Sequence, residues 1–199
     1  AGSPPAFEAA AGGAWTLIKT ITASTDASVS FVDGTSSVVF DSTYKEYVLS
    51  WFNIFPATDA RLCFNVSIDG GSNYNVAKQT SYFRCEHRED GSNGAISYKT
   101  AFDLANGTGV QHLSTDIGSS SYADANCSGN LHIYNPADTT YVKILHGTIH
   151  HMDATATTPY LWSATIGGYI NTTSAVDAIQ FTMDGSENFS GTIKLYGIS

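Results

Sequence analysis

Charge is scarce in this sequence: 14% of its 199 residues are Asp, Glu, Lys or Arg, and nine basic side chains face eighteen acidic ones, a formal charge of -9. A binder of phosphate backbones needs a basic stripe, so nucleic-acid partners are excluded. Cysteine is rare too. Cys63, Cys85 and Cys127 are odd in number, widely spaced and without a C-x-x-C, which argues against a disulfide scaffold or a zinc knuckle and leaves them as small buried apolar residues. No apolar run reaches the roughly 18 to 20 residues of a bilayer-crossing helix, so no membrane insertion is expected. The Ala/Gly/Pro-rich start lacks the charged-then-apolar layout of a signal peptide. Catalytic signatures are missing as well: there is no G-x-S-x-G, no H-E-x-x-H and no nucleotide loop, and Glu46, Glu86, Glu89 and Glu187 form no carboxylate pair. The expectation is a non-enzymatic protein with no catalytic residues and no cofactor.

What the sequence does hold is the material of strands and turns. Eighteen Gly, eleven Tyr and ten Phe accompany a heavy load of Ser, Thr, Asn and Asp. Residues 1 to 13, AGSPPAFEAAAGG, are aperiodic and predict a flexible N-terminal arm that rests on a neighbouring subunit. From Trp15 onward, apolar stretches of strand length alternate with turn residues, giving about ten to eleven strands. Leu62, Phe64, Val66 and Ile68 alternate with Cys63, Asn65, Ser67 and Asp69, and Ile179, Phe181 and Met183 repeat the pattern; each strand is expected to have one buried and one wetter face. The Asp69-Gly70-Gly71 triplet predicts a tight hairpin with its return strand at Asn73-Tyr74. Longer polar connections fall near 87 to 95 and 114 to 128. The expected fold is all-β, a two-sheet antiparallel β-sandwich of jelly-roll topology, built as a single domain over 14 to 199.

Three groups of side chains are candidates for chemistry. His132, His146 and His150, with His151 and Asp153 close by, are the densest set of possible metal ligands; on a strand, 146 and 150 share a face and 151 takes the other, so surface or interface histidines are the plainer account and no metal is expected. Asp33, Asp41, Asp59, Asp69, Asp90 and Asp153 lie mostly in loops, where they suit either Ca²⁺ or local turn bonding. The clump CEHRED, in which Arg84 and Arg88 can pair with Glu86, Glu89 and Asp90, predicts a solvated loop. Among the aromatics, Trp51, Tyr82, Tyr160 and Trp162 are candidates for core, for a subunit interface or for stacking on sugar rings. Adjacent aromatics such as Trp51 and Phe52 face opposite sides of a strand, so one of each pair lies outside a given core.

Several blocks resemble a β-sandwich module of tailed-phage virion proteins. They are Gly13-Ala14-Trp15-Thr16-Leu17-Ile18-Lys19-Thr20 with Ala27-Ser28-Val29-Ser30-Phe31, the turn Pro56-Ala57-Thr58-Asp59, the segment Ser67-Ile68-Asp69-Gly70-Gly71-Ser72-Asn73-Tyr74, the strand Ile179-Gln180-Phe181, and the ending Gly191-Thr192-Ile193-Lys194-Leu195-Tyr196-Gly197-Ile198. The resemblance spans the start, the 44 to 74 region and the end, and leaves 85 to 130 unmatched. It implies a structural protein on the virion surface, either a capsid decoration protein or a tail-fibre or receptor-binding component, homotrimeric and in contact with other virion proteins. It brings no catalytic residues. The alternative is a carbohydrate-binding module in which Trp51, Tyr82, Tyr160 or Trp162 stacks on a host-surface glycan.

Overall fold

A computed structural model describes residues 15–153 and 159–199; the expected arm at 1 to 13 lies outside the described residues. Thirteen strands follow in order: β1 (Trp15–Asp26), β2 (Ser28–Val32), β3 (Glu46–Pro56), β4 (Leu62–Ser67), β5 (Lys78–Arg88), β6 (Gly94–Tyr98), β7 (Ala105–Gly107), β8 (Gln111–His112), β9 (Cys127–Tyr134), β10 (Lys143–Asp153), β11 (Tyr160–Ile170), β12 (Ala178–Met183) and β13 (Phe189–Ile198). Among the described residues two short 3₁₀ turns interrupt them, at Thr100–Phe102 and Asp184–Ser186. The count exceeds the expected ten or eleven because β7 and β8 are three and two residues long, too short to leave a periodic signal.

All pairings are antiparallel, and they form two sheets. The large sheet runs β1-β13-β3-β9-β10-β11-β5-β6, with β7 also on β5, and the small one runs β2-β12-β4-β8. Successive strands β1 to β4 alternate between the sheets, and so do β12 and β13. The large sheet is therefore wider than its partner by β10, β11 and the β5–β7 group. Its inner residues and those of the small sheet interleave in one core that includes Trp51, Tyr47, Phe31, Phe64, Phe181 and Phe189, as expected for two sheets that each bury one face.

Three local expectations are corrected. Asp69-Gly70-Gly71 does turn, with Gly70 at φ 68° and Gly71 at φ 78°, but β4 belongs to the small sheet and β5 to the large one, so no hairpin forms and the chain crosses between layers. Ser67 and Asp69 hold the turn instead: Gly71 N–H donates to Ser67 Oγ at 3.0 Å and Asn73 N–H to Asp69 Oδ1 at 2.9 Å. Second, β4 has no wet face. Cys63, Asn65 and Ser67 are buried like their neighbours, because the 108–112 segment and the wholly buried Lys78 close over them: Asn65 Nδ2 donates to Thr108 O, and Lys78 Nζ donates to Asn65 Oδ1. Third, the segment expected as a solvated loop around CEHRED is mostly strand. β5 continues to Arg88 and returns through a short turn into β6, while Arg84 pairs with Glu86 at 3.5 Å.

Close strand approach in the large sheet depends on Gly129. A Cβ there would meet Thr148 O at 2.3 Å and the Trp51 ring at 2.7 Å, distances no relaxation of a packed core accommodates cheaply. Gly129→Ala is expected to destabilise the protein by about 1 to 3 kcal/mol, read as a lower midpoint in urea unfolding with an unchanged slope.

Candidate functional site

Strand alternation places the aromatic pairs as expected and decides which member is free. Trp51 and Tyr82 are wholly buried, whereas Phe52 and Phe83 face out at 44% and 45% exposure. Trp162 is buried on the inner face of β11, with the Arg84 guanidinium 3.5 Å above its ring centre and Tyr160 stacked 5.5 Å away. Tyr160 is half-buried, with Arg88 at 5.0 Å over its ring. The proposal of Trp51, Tyr82 and Trp162 as sugar-stacking or interface residues is therefore corrected: their faces are already covered by this chain's own side chains, which is where large aromatics gain most from burial. Tyr160 shares the ladder and offers no clear face.

The histidines divide as the strand period demands. His146 and His150 lie on the outer face of β10 and His151 on the inner. His132 opposes His146 in register, and their rings stack at 4.4 Å. His150 bonds Ser163 through Nδ1 at 2.9 Å, four residues along β10 from that stack with the Thr148–Asn130 row between them, so the three do not converge. Among the described residues no group of three His, Cys, Asp or Glu is placed to hold a metal ion. The loop aspartates serve their own turns: Asp33 accepts from Phe40 N–H, Asp41 from Thr43 N–H and Asp90 from Ser92 N–H. Those bonds hold the Asp41 and Asp90 carboxyls below their ordinary range. Asp153 goes the other way, raised by burial and by the nearby Asp116 and Asp59.

The most unusual surface is the outer face of the large sheet, which carries large apolar side chains near both edges. At the β6 edge, register sets Phe83 beside Tyr98 and Cys85 beside Ile96; Ile96 is 79% exposed and Tyr98 57%, with Leu161 also exposed on β11. At the β1 edge, Trp15 and Leu17 are each 51% exposed. Trp15 lies 5.4 Å from Tyr196 and meets His132 edge-on at 6.4 Å. From there the row continues through the His132–His146 stack to Tyr134, whose hydroxyl is 3.3 Å from His146 Nδ1. His132 Nδ1 bonds Glu46 Oε1, while burial and the neighbouring His132 push His146 below its ordinary value. Exposed hydrophobics scattered singly are ordinary, but contiguous ones at both free edges of one sheet mark contact surfaces. Sequence reasoning missed Trp15, Leu17, Phe83, Ile96 and Tyr98, although the rule that one of Tyr82 and Phe83 faces out was the signal that could have found one of them.

Comparison with known proteins adds no relative: no family model matches the chain, no curated protein matches it, and no solved structure matches it.

Proposed function

We propose that the protein is a non-enzymatic structural component of a tailed-phage virion surface, either a capsid decoration protein or a tail-fibre or host-adhesion component, working through symmetric contacts between identical subunits. The observation that carries this is the pair of apolar patches at opposite edges of the large sheet. A contact between two different patches, here the β1 edge of one subunit against the β6 edge of the next, is heterologous and closes into a ring when the rotation allows; three subunits is the number that the resemblance of the sequence blocks implies. The β6 strand, Gly94-Ala95-Ile96-Ser97-Tyr98, carries neither charge nor proline, the usual guards of a free edge. The orders β1-β13-β3-β9 and β2-β12-β4-β8 fit a jelly roll, with β5–β7 and β10–β11 as insertions that widen one sheet toward its neighbours. Fold alone does not assign a virion role; that part rests on the sequence blocks described above.

Sedimentation equilibrium tests the assembly. The wild type is expected at three times the mass of one chain, and Ile96→Lys at the mass of one, with stability changed by no more than about 0.5 kcal/mol because the residue is exposed. A wild type that stays single at every concentration overturns the proposal.

A further inference from the structure

One end of the molecule carries two non-glycine residues in the left-handed backbone region, Asn53 and Thr25. β3 carries one extra residue between Trp51 and Ile54 against β9, and the same bulge shows against β13, where Thr192 and Ser190 face Phe52 and Phe55. At the bulge Asn53 has φ 50°, and on β1, across β13, Thr25 has φ 64°. A β-branched residue in the left-handed region is a true outlier, and such strain persists where the surroundings hold it in place, most often at ligand sites. Here Asn53 N–H donates to Ser128 Oγ at 3.2 Å and Thr25 N–H to Ser190 Oγ at 3.0 Å. Bulges re-aim side chains, and this one turns Asn53 toward the 119–126 segment, which is tied to β3 where Ser120 N–H donates to Pro56 O at 3.1 Å.

Between the two lies a groove. Its main hollow, of about 380 Å³, is lined by residues that include Asn53, Phe55, Ser120, Tyr122 and Asn126. A smaller one of about 80 Å³ shares Phe55 and Ser120 and adds Asn188. Among the described residues, none that lines either hollow is charged, in a chain of formal charge -9. Among the described residues, the side chains of Asn53, Ser120 and Tyr122 make no hydrogen bond, so an amide and two hydroxyls are uncommitted beside two aromatic rings.

We infer that this groove binds a neutral saccharide. The main hollow alone falls within the roughly 300 to 1,000 Å³ typical of small-ligand sites. Aromatic rings accept the C–H faces of a sugar, and amides and hydroxyls match its ring hydroxyls. A phosphate, a sulfate or a uronate would need a cation that the lining lacks. The site lies where Phe55 and Ser190 meet on the large sheet, at the opposite end of β1 and β13 from Trp15 and Leu17.

The test is calorimetric titration of the full chain with four defined probes: maltohexaose, cellotetraose, chitotetraose and, as the charged control, oligogalacturonate. At least one neutral probe is expected to bind. Asn53→Gly suits the positive φ and keeps the fold, yet weakens binding at least tenfold; Tyr122→Ala, on an exposed loop position, does the same. Ile96→Lys binds as the wild type does, which separates this site from the assembly surface. Binding by none of the neutral probes, equal binding of oligogalacturonate, or wild-type affinity in Asn53→Gly overturns the inference.

Discussion

Trp51→Ala is expected to lower stability by about 3 to 5 kcal/mol, the range for emptying a buried aromatic site. Total stabilities of single domains run only about 5 to 15 kcal/mol, so the variant should be partly unfolded at moderate temperature. The indole is wholly buried and joins the two layers: Trp51 stands on β3 of the large sheet, and its ring lies 5.9 Å from Phe181 on β12 of the small one. Neighbouring strands cannot collapse into the space, because Gly129 already lets them approach at that point. Phe52→Ala, one residue along and facing out under Lys194, should cost less than about 1 kcal/mol. Urea unfolding followed by circular dichroism distinguishes the two; equal effects would mean that the assignment of faces along β3 is wrong.

Acidification is expected to destabilise the protein well before its carboxylates are protonated. His151 is buried on the inner face of β10, with Nε2 2.7 Å from Thr115 Oγ1 and no partner for the other ring nitrogen among the described residues. Burial, with Arg84 and His150 nearby, pushes it down to about 3 from an ordinary value of 6.5. Between those values the unfolded chain binds a proton that the folded one refuses, so stability is full above pH 6.5 and falls as pH drops toward 3. At about 1.4 kcal/mol per pH unit, the loss across the window is on the order of several kcal/mol. His112 and His146, also lowered by burial, act in the same direction. Asp153 opposes them, since burial disfavours its charged form and protonation relieves that cost. The carboxyls lowered by turn hydrogen bonds, such as Asp69 and Asp138, lose their contribution only below their ordinary value of 3.8. His151→Gln keeps a polar partner for Thr115 and should flatten the dependence of the urea midpoint between pH 4 and 6.5. An unaltered slope would show that another group controls it.

Much of the fold was legible because β-sheets write their period into the sequence. The run of alternating apolar residues on β12 marked the face that enters the core, and all eleven apolar stretches became strands. What the period cannot say is which sheet a strand joins. Asp69-Gly70-Gly71 reads as a reversal, yet its two flanking strands lie in different layers, a choice made by pairings with β12 and β11 far along the chain. Alternation separates Trp51 from Phe52 and Tyr82 from Phe83 without telling which side is covered, so core, interface and sugar-stacking readings of Trp51 and Tyr82 stay open in the sequence until burial decides for the core. Burial of His151 and Lys78 was likewise illegible: a polar residue on a strand looks solvated until another segment closes over it. The groove around Asn53 escaped the sequence altogether, since a bulge is a mismatch between two strands and belongs to neither alone.

Cys85 offers the most direct check that the outer sheet face is covered by another copy. It is the exposed one of the three thiols and stands beside Ile96 in register, whereas burial raises the Cys63 and Cys127 thiols and keeps them inert. The rate of its alkylation by iodoacetamide, measured across a range of protein concentration, should fall as the three-chain mass appears and return to the dilute rate in Ile96→Lys. A rate independent of concentration in a protein that sediments as one chain would contradict the account.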